Sequence, residues 1–483
     1  MPRTTVIGSE RVLISQPDGT LAAMPACVVI KGNRIDTVVT VLPGQVAAET
    51  KSLARKVSGK AYFVGDNLVS PAFVNAHTHL AMSFFRGFTL GESTRKNMIE
   101  DLFFHVESRL TEDDVESFTR MGAYECLLNG VGFVWDHYYF GKATAKALES
   151  VGLAGVVAPT LQDLSGPGTK WLERQWDETR EISESEDFAS AGVFAAYGPH
   201  ATDTVSPDLW RRIVKESSKN SLPIHVHLAQ SKEEYVKVFS REGKSPVRYL
   251  KDLGVFENDI RSLLVHGIFI PKEELALLNS KNKVLVFCPF SQLIFQFPAS
   301  VLEWENAGVR WTVATDCVAS NDSMNVQKEL RYVGGLANMG VTYSPEHQRF
   351  LCEGGVHAAQ SVGEARARVQ DLSMRFSNSK FLLTKIWNTT ESLHPKVRVG
   401  RLSAGSLANL VVWDNSHASL WPTTQELRGL AMGDTVGAIQ NMMVAGKWIG
   451  KDGNYSNSIV KSAEYCEAKK DAEMRLQELQ KRL

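Results

Sequence analysis

Eight short apolar runs recur through the middle of this 483-residue chain, each followed by a longer stretch of helical character. They fall at 68–77, 130–137, 154–160, 191–200, 222–228, 262–267, 283–289 and 309–316. They are apolar almost without alternation, which suits strands buried on both faces. Helical stretches between them include 113–130 and 206–220. In the second, Ser206-Pro207-Asp208 is a good helix start, with proline at the first turn. Alternating β and α with two-sided burial predicts a parallel sheet, and eight repeats predict an α/β fold of the (β/α)8 TIM-barrel type over 68–395.

Both chain ends read differently. TTVIGSERVLIS and ACVVIKGNRIDTVV are β segments with a hairpin turn at Gly32-Asn33. Residues 407–416 and 436–455 regain β character, with glycine-centred turns. Residues 1–67 are too few to bury a core alone. They are expected to join 396–455 in one small β-sandwich flanking the barrel. Residues 456–483 end in a charged amphipathic helix, expected on the surface, where a dimer contact is one use for it.

Composition narrows the function classes. The 53 Lys and Arg are balanced by 54 Asp and Glu, so no clustered charge favours nucleic acid. No run of 18 apolar residues suggests a membrane span, and the first residues show no secretory h-region. Cys27, Cys126, Cys288, Cys317, Cys352 and Cys466 lack paired spacing and read as free thiols of a cytoplasmic protein.

Polar residues interrupt the apolar runs in a pattern. His77 and His79 end the first run, His137 follows the second and His200 ends the fourth. His225 and His227 lie on the fifth, His266 ends the sixth and Asp316 the eighth. All but His225 sit near C-terminal strand ends, the face on which TIM barrels carry their sites. Spacing of two puts His77 and His79 on one side of a strand, and paired neutral imidazoles suit a divalent metal. His225 either supports a neighbour from behind or packs in the core.

Several segments together resemble the amidohydrolase superfamily: VSPAFVNAHTHLAMSFFRG, GPHATDTVSPDL, IHVHLAQSKEE, LLVHG, TVATDCVASNDSMN and VRVGRLSAGSLANLVVWD. The branch they are most similar to is that of cyclic deaminases and triazine hydrolases, with DHYY at 136–139 and the Asn321 segment nearest the triazine group. The resemblance implies one divalent metal on His77, His79, His227 and Asp316. Zinc suits that set best; iron or manganese would also bind it. It further implies that Asp316 takes a proton from the attacking water, that His266 polarises the substrate, and that His200 lines the pocket.

Two positions depart from the family pattern. Gln230 stands where the deaminases place a proton-shuttling glutamate, and an amide cannot transfer a proton in the usual way. Phe287 and Gln292 stand where a histidine and an asparagine are common. With Phe84, Phe88 and Phe290 they suggest an aromatic pocket for a flat molecule, lined also by His137 and Asn321. The acidic pair expected of a nucleoside site after Arg86-Gly87-Phe88 is absent, which favours a free base.

The expected function is therefore aminohydrolysis of a purine-, pterin- or triazine-like base, with Asp316, His266 and Gln230 at the reacting centre. The alternatives are hydrolysis of a cyclic amide, displacement of a halogen or alkylamine substituent, and a silent scaffold. A homodimer or higher homo-oligomer is expected.

Overall fold

The computed structural model describes residues 4–15, 21–87, 97–295, 297–391 and 393–483. The N-terminal strands are β1 (Thr4–Ser15), β2 (Leu21–Lys31), β3 (Arg34–Thr40), β4 (Lys60–Phe63) and β5 (Leu68–Pro71). The expected hairpin joins β2 to β3, and Gly32 takes the left-handed conformation (φ 60°) that the turn requires.

The barrel strands are β6 (Phe73–Thr78), β7 (Val131–Tyr138), β8 (Ala154–Leu161), β9 (Val193–Ala195), β10 (Gly198–Pro199), β11 (Ile224–Leu228), β12 (Ser262–His266), β13 (Lys283–Phe287) and β14 (Trp311–Val313). All their pairings are parallel. β9 and β10 together form the fourth stave, since both pair with β8. Bridges from Tyr197 to Ile224 and from Ala201 to His227 join the fourth stave to the fifth. A parallel bridge from Thr78 to Asp316 closes the eighth onto the first. Every residue of β6, β7, β8, β11, β12 and β13 is buried, which is why these runs lack alternation. The helix Glu112–Leu128 starts on a capping box of Thr111 and Asp114. Pro207–Asn220 starts on the expected Ser206 cap.

The run at 68–77 divides at Ala72. Pro71 offers no N–H to a continuing ladder, and the Ala72 N–H turns to the Asn409 carbonyl at 3.1 Å. β5 thereby leaves the barrel and pairs with β1 on one side and, on the other, with β15 (Leu410–Trp413). β16 (Ile439–Val444) and β17 (Lys447–Trp448) extend the same sheet. Its order is β17-β16-β15-β5-β1-β2-β3, with β4 added on β1, so eight strands from both chain ends share one hydrogen-bonded sheet. Trp413 Nε1 donates to Ser70 Oγ at 2.8 Å across this join.

Helices continue after the eighth stave from Val326 to Trp387. The C-terminal helix Ala463–Arg482 lies on Glu112–Leu128, with Ala472 and Leu479 buried and Arg482 bonded to Asp114 at 2.7 Å. Part of its surface is thus already used within the chain.

Candidate metal centre and catalytic cavity

His77 ends β6 and His79 is the first residue beyond it. The turn that carries His79 is held by Asp136, whose Oδ2 accepts from Thr78 Oγ1 at 2.9 Å and from the Leu80 N–H at 2.7 Å. Burial pushes the Asp136 carboxyl up to about 6. Asn75 ties β6 to the eighth stave through Thr315, with bonds of 2.7 and 3.1 Å. His266 and Asp316 both have positive φ, 80° and 64°. That conformation costs a non-glycine residue roughly 1–3 kcal/mol and persists where the surroundings enforce it. Here the Asp316 N–H donates to the His77 carbonyl at 3.1 Å, and Gln292 Nε2 donates to the His266 carbonyl at 3.2 Å.

The ring protons of two histidines follow from their partners. His79 Nδ1 contacts the carbonyl of His137, and His227 Nδ1 lies 2.7 Å from the carbonyl of His200. A carbonyl only accepts, so both rings carry a proton on Nδ1, which in a neutral imidazole leaves Nε2 bare. Those two bare nitrogens face each other at 3.3 Å. Asp316 Oδ1 stands 3.5 Å from His77 Nε2 and 3.6 Å from His79 Nε2. Lone pairs this close repel unless a cation lies among them. Zinc bonds of about 2.0–2.1 Å in a tetrahedron separate neighbouring donors by roughly 3.3–3.4 Å, close to these three separations. His77, His79 and Asp316 lie close enough to share an ion, as do His77, His227 and His266.

Burial disfavours the charged form of six of these imidazoles. It pushes His77 and His200 down to about 3 and His266 to about 4, and holds His137, His225 and His227 well below their ordinary range. Those six rings are therefore neutral at pH 7 and free to bind through nitrogen. Asp316 Oδ2 accepts from Ser291 Oγ at 2.6 Å and lies 4.0 Å from His266 Nε2.

A cavity of about 50 Å³ opens beside this cluster. His137, His200, Gln230, His266 and Cys317 form its walls, as do Tyr138 and Tyr139. Ile99, Phe103, Phe104 and Glu107 reach it from the segment between β6 and the helix Glu112–Leu128, and Phe295 from beyond β13. The Gln230 backbone is fixed by its N–H to Glu234 Oε2 at 2.7 Å.

Three expected pocket residues lie elsewhere. Phe84 stacks on Phe85 and Phe118, with centroids 4.2 and 4.7 Å away, and faces a groove beside Tyr465. The residues after His79 form a tight helical turn, so Met82 turns inward and Phe84 outward. Phe290 packs on Tyr332 at 5.5 Å, and Asn321 bonds Glu329 Oε1 at 2.8 Å. Both line a neighbouring cavity. Phe287 is barrel core against Trp304, and Gln292 braces His266. Phe88 lies outside the described residues.

The sequence reading passed over Glu107, Tyr138, Tyr139, Asp136 and Ser291. Burial pushes the Glu107 carboxyl up to about 7, partly offset by the nearby Tyr138 and Tyr139 hydroxyls. DHYY carried a usable signal, because Tyr138 and Tyr139 adjoin His137 at a strand end. Glu107 carried none.

Residues 68–346 match the amidohydrolase family. The chain is 27% identical over 319 residues to a 5'-deoxyadenosine deaminase of Methanocaldococcus jannaschii, covering 66% of this chain and 73% of that protein. Its fold is similar to that of a zinc-bound adenosine deaminase from Xanthomonas campestris, with a TM-score of 0.77 over 99% of both chains at 17% identity. An atrazine chlorohydrolase from Arthrobacter aurescens, solved with zinc, gives a TM-score of 0.74 over 98% of this chain and 100% of that one, also at 17% identity.

Proposed function

Given that the chain belongs to the amidohydrolase family, we propose that it hydrolyses an exocyclic amine from a free purine-, pterin- or triazine-like base and releases ammonia. His77, His79, His227 and Asp316 would hold one divalent metal, zinc by preference and iron or manganese by capacity. The observation that carries this reading is the 3.3 Å approach of two unprotonated nitrogens, His79 Nε2 and His227 Nε2, beside a carboxylate. When bound, the metal makes a water molecule acidic enough to act as a nucleophile near neutral pH.

The protein's own groups do the rest. Asp316 accepts a proton from the attacking water. His266, 4.0 Å from Asp316 Oδ2, donates toward the ring atom on which charge develops. Gln230 hydrogen-bonds a ring nitrogen and orients the base. His200 and His137 contact the ring with Phe103 and Phe104. The leaving amine must take up a proton, because an amide anion is too basic to depart. With an amide at position 230, that proton comes back from Asp316. Oxygen replaces nitrogen on the ring carbon, and the water's two hydrogens end on product and ammonia.

Gln230 favours a second reading, in which the group expelled needs less proton delivery: a halide, an alkylamine or the nitrogen of a cyclic amide. Glu107 in the cavity wall adds an acceptor for substrate hydroxyls, so adenosine-type nucleosides belong in the same screen. Aminopurines, pterins, aminotriazines, halotriazines, cyclic amides and adenosine derivatives are incubated with zinc-loaded protein, and ammonia and product mass are read. Ammonia from a free base supports the first reading. Halide, amine or ring-opened product without ammonia replaces it with the second.

This reading includes a cytoplasmic homodimer or larger homo-oligomer. Exposed Tyr343, Leu351 and Val356 on the helices beyond the barrel are apolar surface available to another copy. It also takes the sheet shared by the chain ends as a small sandwich flanking the barrel. Ile7, Val28, Val69, Leu410 and Met443 in one apolar cluster support that.

A further inference from the structure

His79 and His227 each rest Nδ1 on a backbone carbonyl. His77 does not. Its Nδ1 lies 2.9 Å from Nε2 of His225, a fully buried side chain on β11 two residues before His227. Which ring donates decides whether His77 can bind a metal at all.

His137 Nε2 lies 3.1 Å from the carbonyl oxygen of Gly198. That oxygen only accepts, so His137 carries its proton on Nε2 and has a bare Nδ1. The Nδ1 atoms of His137 and His225 are both buried without a hydrogen-bond partner among the described residues. Their rings lie 5.3 Å apart between centroids. The two Nδ1 atoms do not bond one another, so the cluster that His77 Nε2 faces decides between the tautomers. A His77 that binds a metal through Nε2 carries its proton on Nδ1 and donates it to His225 Nε2. The opposite assignment would push an N–H into the ligand cluster.

We propose that His225 is a positioning residue for the metal centre, accepting from His77 Nδ1 and so holding His77 in the tautomer whose Nε2 binds the ion. The inference rests on the reading of the cluster as a metal site and does not depend on the substrate.

The test uses full-length His225→Phe, His225→Leu and His225→Gln beside wild type. Zinc affinity is measured by competition with a chromophoric chelator, the metal-free protein is melted, and the visible spectrum is recorded after cobalt substitution. Phenylalanine and leucine remove the acceptor and should weaken zinc binding about 10–100-fold while the metal-free protein melts near wild type. Leucine carries the test if phenylalanine is too bulky to fold. Glutamine places an oxygen near the lost Nε2 and should recover most of the affinity and the wild-type cobalt bands. Wild-type zinc affinity in the phenylalanine or leucine variant overturns the proposal. So does a glutamine variant no better than leucine, or a loss confined to the melting temperature of the metal-free protein. A wild-type protein that takes up no zinc overturns the metal reading itself, and this inference with it.

Discussion

The Nε2 atoms of His79 and His227 face each other across 3.3 Å, each ring held from behind by a carbonyl of a neighbouring stave. The two come from the first and fifth staves, 148 residues apart. The contact is unfavourable without a cation, and the fold enforces it from both sides.

Position 230 separates the two readings of the reaction. If ammonia is the leaving group, Gln230→Glu adds a proton shuttle beside the ring and should raise kcat/KM for deamination by up to about 10²-fold. If a halide or alkylamine leaves, the added charge near the attacking oxygen should lower the native rate. Steady-state kinetics on the best substrate, with Asp316→Asn as the inactive control, decide it. Equal rates in both proteins would mean that the side chain does not reach the substrate.

The aromatic contacts divide by face. Phe103 lines the cavity, whereas Phe84 packs on Phe85 and Phe118. Phe103→Ala should raise KM about tenfold or more. Phe84→Ala should leave kcat/KM within about twofold and lower stability by roughly 1–3 kcal/mol, less than for a fully buried ring. Kinetics and urea unfolding on both variants check this; a KM effect at Phe84 would contradict the placement.

Glu107 should leave a signature in the pH dependence of stability. Burial raises its folded-state value to about 7, above the ordinary carboxyl range of the unfolded chain. Its favourable contribution is therefore complete below the unfolded pKa and is lost as pH rises through about 7. By pH 8 the ionised group opposes folding by roughly 3 kcal/mol. Glu107→Gln keeps a polar side chain and cannot ionise. Its stability relative to wild type should thus be higher at pH 8 than at pH 5. Urea unfolding at the two pH values tests this, and an equal difference at both would show that the carboxyl does not titrate in the fold.

Much of the architecture was legible because barrel strands advertise themselves. β7 and β8 are buried on both faces, so their sequences lose alternation, and His137 in β7, like His77 in β6 and His266 in β12, marks a strand end. His77, His79, His227, His266 and Asp316 meet because strand order and the common C-terminal face bring them together. Residues on connections were harder to place. Phe84 lies close to His79 in sequence, but the chain coils directly after His79 and turns it outward. Phe290 lies in the first turn of the helix Pro289–Phe295, which turns it toward Tyr332 while Phe295 reaches the cavity. Phe103, Phe104 and Glu107 arrive from a long connection that folds back over the mouth, and no local periodicity reports which connection does so. The 68–77 run hid a change of sheet, because β5 and β6 are both wholly buried and only Pro71 marks the join.

X-ray absorption at the zinc edge of the purified, zinc-loaded protein tests the central claim most directly. The account predicts about one zinc per chain, surrounded only by nitrogen and oxygen at about 2.0–2.2 Å, and loss of that shell in His79→Ala and His227→Ala. His266, Cys288 and Asp316 also lie close enough to share an ion. A sulfur neighbour at about 2.3 Å, or a shell unchanged in the two alanine variants, would contradict the assignment of the metal to His77, His79, His227 and Asp316.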